Sequence, residues 1–303
     1  MSAPGAGRGR WVRLRSLFAD VRTRLHGHDL FLVSAGVTFY AAIALVPSLV
    51  VAVRLLAVLL GPERVVELGD AVGRALPDAQ GAGRVVGDLV RTAVDVGWLA
   101  VLVALVPATV YGEGLRRGFA RVSVRHPEPP PAPVRGRAGG WRVRLRAAPL
   151  VLLAPVGFLA VLEVAPFLDG WFGDGGPRTA VAVYVALNVD WLVVSPVLVY
   201  VYRVLGPVRP GWWATLWGAY GTGAFVSGFL QGFVLFLAIP VDLGAPFGGY
   251  AQVGGAVAVC LWLWVLTALT VYGYALTLEL DRRRSSVPGQ ASRPAARRAH
   301  LPG

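Results

Sequence analysis

The sequence predicts an all-α integral membrane protein: a bundle of six transmembrane helices, with a short amphipathic helical segment on the outer side between spans one and two. Three observations lead there. The 303 residues are 55% hydrophobic and 15% charged, with a mean hydropathy of +0.60, whereas about a quarter of the residues in a soluble domain are charged. Six stretches are long and apolar enough to cross ~30 Å of hydrocarbon, which takes about 20 helical residues. All 29 basic residues are arginine, giving a net charge of +12, and most gather in the polar segments between those stretches.

Taken in order, residues 1–29 form a basic segment, with Arg8, Arg10, Arg13, Arg15, Arg22 and Arg24 against Asp20 and Asp29. The apolar run 30–60 is far longer than the roughly 7 to 15 residues of a signal-peptide core and reads as an uncleaved first span. At ~1.5 Å per residue it would reach about 46 Å, so it must tilt or bend at Pro47. Residues 61–96 carry six acids and four arginines. Val65, Leu68, Val72 and Ala75 form one helical stripe and Val86, Leu89, Val90 and Ala93 a second, with Pro77 and Gly81 between them. Two amphipathic helices lying on the outer face are therefore expected. The pairs Asp70/Arg74, Arg84/Asp88 and Arg91/Asp95 have the i,i+4 spacing that couples charges along a helix.

Span two covers 94–115, with Trp98 and Tyr111 as interfacial anchors and a kink at Pro107. A basic, Pro-rich loop follows over 116–146, an extended spacer by its composition. Span three covers 147–167 and carries Glu163 near its far end. Span four, 179–202, contains Asn188, Asp190 and a kink at Pro196. Span five, 212–239, holds Gly228 and Gly232 in the small-xxx-small spacing that suits close helix packing. Span six covers 250–280 and completes a membrane domain of 30–280. The tail 281–303, rich in Arg, Pro, Ser and Ala, has a disordered composition.

Six spans place 23 of the 29 arginines, in 1–29, 116–146, 203–209 and 281–303, on one side and five on the other. The positive-inside rule makes the arginine-rich side cytoplasmic, giving a multi-pass plasma-membrane protein with both termini inside. The same bias suits anionic lipid headgroups as partners, at about 1 kcal/mol per juxtamembrane arginine, and needs no nucleic acid. Assembly into a homo-oligomer is compatible with it.

Signs of catalytic chemistry are few. Cys260 is the single cysteine, so no intrachain disulfide or Cys-rich metal site is expected. His26, His28, His126 and His300 stand apart from any carboxylate cluster. The chain has no P-loop, dinucleotide fingerprint, zincin helix or nucleophile elbow. No cofactor, metal or enzymatic activity is expected. The informative residues are polar groups inside spans, where a charge costs at least ~2.5 kcal/mol: Arg54, Glu113, Glu163, Asp190 and Gln231. Arg54 and Glu163 both fall in the outer part of the membrane and are expected to pair. Asp190 lies about 16 Å into span four at ~1.5 Å per residue, near the bilayer centre. Asn188 and Tyr40, at similar depth, make it the centre of a candidate polar path; the alternative is a structural hydrogen bond between helices. A transport-type protein moving an ion, small solute or lipid is the leading reading, and a non-catalytic scaffold or envelope-integrity factor binding lipid or protein partners is its competitor.

Three places resemble the bacterial YihY/virulence factor BrkB-like family of inner-membrane proteins, once labelled ribonuclease BN. Phe39-Tyr40-Ala41 followed by Pro47 is similar to that family's first-span pattern. Gly218-Ala219 after Trp212, Trp213 and Trp217 resembles the opening of its fifth span. Tyr250, Val253, Gly254, Trp262 and Gly273 keep the spacing of its last span. The resemblance implies a six-span protein of the bacterial inner membrane with no settled activity. Ala44, Ala251, Gln252, Tyr274 and Ala275 depart from it; Ala275 stands where the pattern has Glu. Glu279 is one turn further on, and a plain helix-end charge is the simpler reading of it. The old nuclease label finds no support, because Asp20, Asp29, Glu113, Glu128, Glu279 and Asp281 are scattered over separate connectors rather than gathered round a metal.

Reporter fusions test the topology. Those at Arg15, Gly139 and Gly289 should be cytoplasmic and those at Asp78 and Gly175 external; an external signal at Gly139 would overturn six spans.

Overall fold

The computed structural model describes residues 6–76, 80–124, 145–146, 148–149 and 177–286. The body of the expected third span with Glu163, the Pro-rich stretch and the end of the tail lie outside them. All regular structure among the described residues is helical. Five helices are long and apolar enough to cross a membrane: Leu30–Leu60, Trp98–Ser123, Leu187–Leu205, Trp212–Ala238 and Ala251–Ser285.

Helix α1, Ala6–Leu25, occupies much of the basic N-terminal segment. Asp29 then caps α2, Leu30–Leu60, by accepting a hydrogen bond from the Leu32 amide at 3.0 Å, satisfying one of the orphan donors of a helix start. α2 runs through Pro47 and stops at Gly61, whose φ of +90° favours glycine. Pro62 opens α3, Pro62–Ala75, at the first-turn position where its missing N–H costs nothing. The chain thus turns from a span into a short helix with a single linking residue.

α3 and α4, Ala82–Asp95, pack on each other and on α2. Val65, Val90, Ala93 and Val94 are buried with Val53, Leu56 and Ala57 of α2, while Glu63, Arg64, Glu67 and Asp88 face outward. The ion pairs differ from those expected along each helix. Arg91 crosses to Asp70 at 2.7 Å, and Arg64 pairs with Glu67 at 2.6 Å. The reason is close packing: Gly73 and Gly83 let the two backbones meet, which brings Asp70 within reach of Arg91. At the turn between them, the Gln80 amide donates to the Ile239 and Val241 carbonyls at 2.8 and 3.0 Å.

The second span is two helices, α5, Trp98–Ala108, and α6, Val110–Ser123. Thr109 divides them, two residues past Pro107, and its hydroxyl donates back to Leu105 and Val106. The helix continues eight residues beyond the expected end at Leu115, so Arg116, Arg117 and Arg121 are helical. α7, Pro177–Tyr200, passes through Pro196 and widens into a π turn over Val201–Leu205. A proline removes one backbone donor, and a π turn relieves the resulting ladder mismatch. α8, Trp212–Ala238, leads through a 3-10 turn, Ala245–Phe247, into α9, Ala251–Ser285. α9 reaches further than the expected span, so Arg282, Arg283 and Arg284 sit on its last turn.

α9 packs against α8, α2, α1 and α6; α2 lies on α5 and α6, and α7 on α8. The main core gathers Phe119, Tyr202 and Tyr274, with Phe119 stacked on Tyr274 at 4.3 Å between centroids. Both tyrosine hydroxyls are satisfied, Tyr202 donating to the Thr270 carbonyl at 3.1 Å and Tyr274 to that of Val208 at 2.8 Å. Such partners are what permit a buried tyrosine.

The α8–α9 contact is reciprocal. Gly218 lies against Thr277, and Gly273 lies against Thr222 and Tyr202, so a Cβ on either glycine would overlap its neighbour. Each helix therefore offers Gly-xxx-Thr to the other, the small-residue geometry that lets helices approach in lipid. Gly228, expected in such a face, is exposed and meets nothing within 4 Å. Ten residues at about 100° each turn it roughly 80° away from Gly218. Gly218→Leu and Gly273→Leu should each lower stability by about 1–3 kcal/mol through overpacking, while Gly228→Ala should leave the melting temperature in detergent unchanged; equal losses at all three would contradict the assignment.

Candidate functional site

The arginine-rich end of the bundle is organised by ion pairs. Arg24 of α1 donates from Nε to Glu279 of α9 at 2.7 Å, with side-chain exposures of 8% and 0%. Its Nη1 donates to the Ser123 carbonyl of α6 at 3.2 Å. Arg282 pairs with the other oxygen of Glu279 at 2.8 Å, and Arg283 pairs with Asp20 at 2.7 Å. The local cause is periodicity: Asp20 and Arg24 are one turn apart on α1, and Glu279, Arg282 and Arg283 share a face of α9. Glu279 is thus a fully buried ion-pair partner and not a plain helix-end charge. Ala275, one turn before it, is also fully buried, in the aromatic core. Around this cluster Arg203 stacks on Trp212 at 3.8 Å and Arg284 on Trp213 at 5.0 Å, as cations do on indole faces.

A cleft lies beside the cluster, between the starts of α2 and the end of α6, with a volume of about 370 Å³. Tyr40 forms part of its wall, its hydroxyl accepting from Arg117 at 3.1 Å. Gly114 allows this ring to lie close, since a Cβ there would be 2.8 Å from it. Glu113 accepts from Arg116 at 3.1 Å and Arg117 at 2.8 Å, so this in-span acid is neutralised within its own helix. His28 bonds the Val124 carbonyl at 2.8 Å.

Asp190, half-buried on α7, accepts a hydrogen bond from Gln231 of α8. Two further bonds run between these helices, Ser227 to the Leu187 carbonyl at 2.9 Å and Trp191 to that of Tyr220 at 2.8 Å. Asn188 donates to the Tyr184 carbonyl at 2.7 Å, one turn back on its own helix. Asp190, Asn188 and Tyr40 share no hydrogen bond among the described residues; each has its own partner. Arg54 donates to the Val94 carbonyl at 2.7 Å and lies 5.2 Å from the Trp98 ring. Its expected partner Glu163 is outside the described residues. Among the described residues no three His, Cys, Asp or Glu side chains converge as metal ligands.

Sequence reasoning missed Arg24 as the partner of Glu279. The one available signal was the acid's position within a turn of three arginines at a helix end, which does not tell which charge is buried.

Five helices long and apolar enough to cross a membrane make this a multi-pass α-helical membrane protein. The sequence model of the virulence factor BrkB family matches residues 21–299, and the chain belongs to that family. No curated protein and no solved structure matches it.

Glu279→Ala should cost about 3–5 kcal/mol, because it leaves the buried Arg24 with only a carbonyl partner, and Arg24→Ala should cost less, because Arg282 still pairs with Glu279. The double variant should lose less than the sum, read as thermal denaturation in detergent; additive losses would show that the two do not act as a pair.

Proposed function

We propose that this is a transport-type protein of the bacterial plasma membrane, with six spans and both termini cytoplasmic, moving an ion, a small solute or a lipid. Even crossing number is supported by the Arg24–Glu279 bond, which holds the helix before the first span against the end of the last. The bond from His28 to Val124 brings the end of the second span back to the same side, and the Phe119–Tyr202–Tyr274 cluster puts the end of α7 there too. In this reading the span expected over 147–167 supplies the further crossing, and the outer side holds α3 and α4. The positive-inside rule assigns the arginine-rich end to the cytoplasm.

The observation that carries a transport role is the Asp190–Gln231 pair. Counted by helix rise from Thr179, the expected start of span four, Asp190 is about 16 Å in, and it lies within the apolar stretch Leu187–Leu205. Among the described residues its carboxylate has a neutral amide and no cation as partner. A structural tie between helices needs no ionisable group, and Ser227 and Trp191 already provide neutral ties. An acid at this depth suits a wet path for a cation, proton or headgroup. The scaffold reading is favoured by a different observation, the aromatic cluster that packs the arginine-rich half of the bundle.

Labelling separates the two. In a Cys260→Ala background, Asp190→Cys should react with a membrane-impermeant thiol reagent applied to oriented vesicles, and Thr267→Cys, at a buried helix contact, should not. An inert Asp190→Cys would remove the support for a path and leave the scaffold.

A further inference from the structure

We propose that the cleft between α2 and α6 is a binding site for one anionic phospholipid of the cytoplasmic leaflet, its phosphate held by Arg117 and Arg121 and an acyl chain laid along α2. The proposal rests on the orientation given above but not on the Asp190 path, so either can fail alone.

α6 reads Gly114, Arg117, Gly118, Arg121, two rows at four-residue spacing. The glycine row lies tight on α2, where a Cβ at Gly118 would be 2.8 Å from Val37. The arginine row is thereby set at the rim of the cleft. Arg121 is exposed and has no ion-pair partner among the described residues, and Arg117, 63% exposed, shares Glu113 with Arg116. Asp29, also at the rim, is engaged in capping α2. The rim therefore offers Arg121, which has no ion-pair partner among the described residues, beside Arg117, whose acid is shared with Arg116, and arginine is well suited to phosphate oxygens.

Below the rim the surface turns apolar. Leu32 and Phe39 are 69% and 65% exposed and Ile43 is 42% exposed, and between them Gly36 has nothing within 4 Å of its would-be Cβ. Leu32, Gly36, Phe39 and Ile43 make one stripe at helical spacing. Leu32 and Gly36 line the cleft together with the arginines, and Phe39 and Ile43 continue the stripe beyond Arg117, which bonds Tyr40. A phosphate clamp beside an exposed apolar track favours a lipid over a free anion.

Full-length protein in phosphatidylcholine nanodiscs doped with phosphatidylglycerol, analysed by native mass spectrometry, tests this. The parent should retain phosphatidylglycerol selectively. Arg117→Gln with Arg121→Gln should cut retention about thirtyfold, at roughly 1 kcal/mol per arginine and 1.4 kcal/mol per decade. Arg121→Gln alone, at an exposed side chain, should give part of that loss. Gly36→Leu, which fills open space without changing charge, should also abolish it, and the exposed connector variant Arg209→Gln should not. Retention unaffected by Gly36→Leu or by the arginine pair would overturn the site, as would equal loss with Arg209→Gln. Displacement by inorganic phosphate would show a soluble-anion site instead.

Discussion

A carboxylate with no solvent exposure needs a counter-charge held in place, and Glu279 obtains its own from Arg24, 255 residues away in the chain. Neither charge could remain buried alone. The bond fixes α1 against α9, carries Val21 into the aromatic core, and through the Ser123 carbonyl reaches α6. Phe119 and Val122 of α6, Tyr202 at the π turn and Tyr274 of α9 then share one packed region. The register of four helices at this end follows from that buried contact, from the Arg282 and Arg283 pairs that reinforce it at Glu279 and Asp20, and from the rings around it.

Elsewhere many polar groups of the bundle are satisfied internally, as hydrocarbon demands, the buried Ser34 and Ser195 hydroxyls and Arg54 Nε being exceptions among the described residues. Thr38, Thr222, Thr270 and Thr277 each return their hydroxyl to a carbonyl four residues back. Two of these threonines also sit against glycines of the facing helix, so one side chain both satisfies itself and supplies the close contact. Lipid tails give helices no hydrophobic reason to associate, and this economy of small residues supplies van der Waals contact in its place.

The spans were legible because twenty consecutive apolar residues mean one thing in any context; α2 begins and ends at the limits that hydropathy alone gives. Partner choice was less legible. Arg91 has Asp88 of its own helix at 3.7 Å and yet lies closer to Asp70, at 2.7 Å, because the Gly73–Gly83 contact that brings the helices together is a property of two backbones and not of charge spacing. Gly228 and Gly232 advertise a packing face as plainly as Gly218 and Thr222 do, but Gly232 meets Trp262 of α9 while the rotation of α8 leaves Gly228 facing open space. The burial of Glu279 depended on α1 being a docked helix, which a basic, weakly amphipathic segment does not announce. Asp190 was conspicuous as a charge in an apolar run, but its amide partner lies on another helix, 41 residues on.

The Arg24–Glu279 bond also joins the two ends of biosynthesis. The chain emerges at roughly 5–20 residues per second, so Arg24 spends on the order of 13–50 s without its partner while the intervening spans enter the membrane. During that interval α1 is tethered to the first span and, once α6 is made, can meet Ser123 and Phe119 but not its charged partner. Translation must pass Glu279 before the first helix can form its buried ion pair, and a chain truncated before that point would leave the Arg24 charge without that partner.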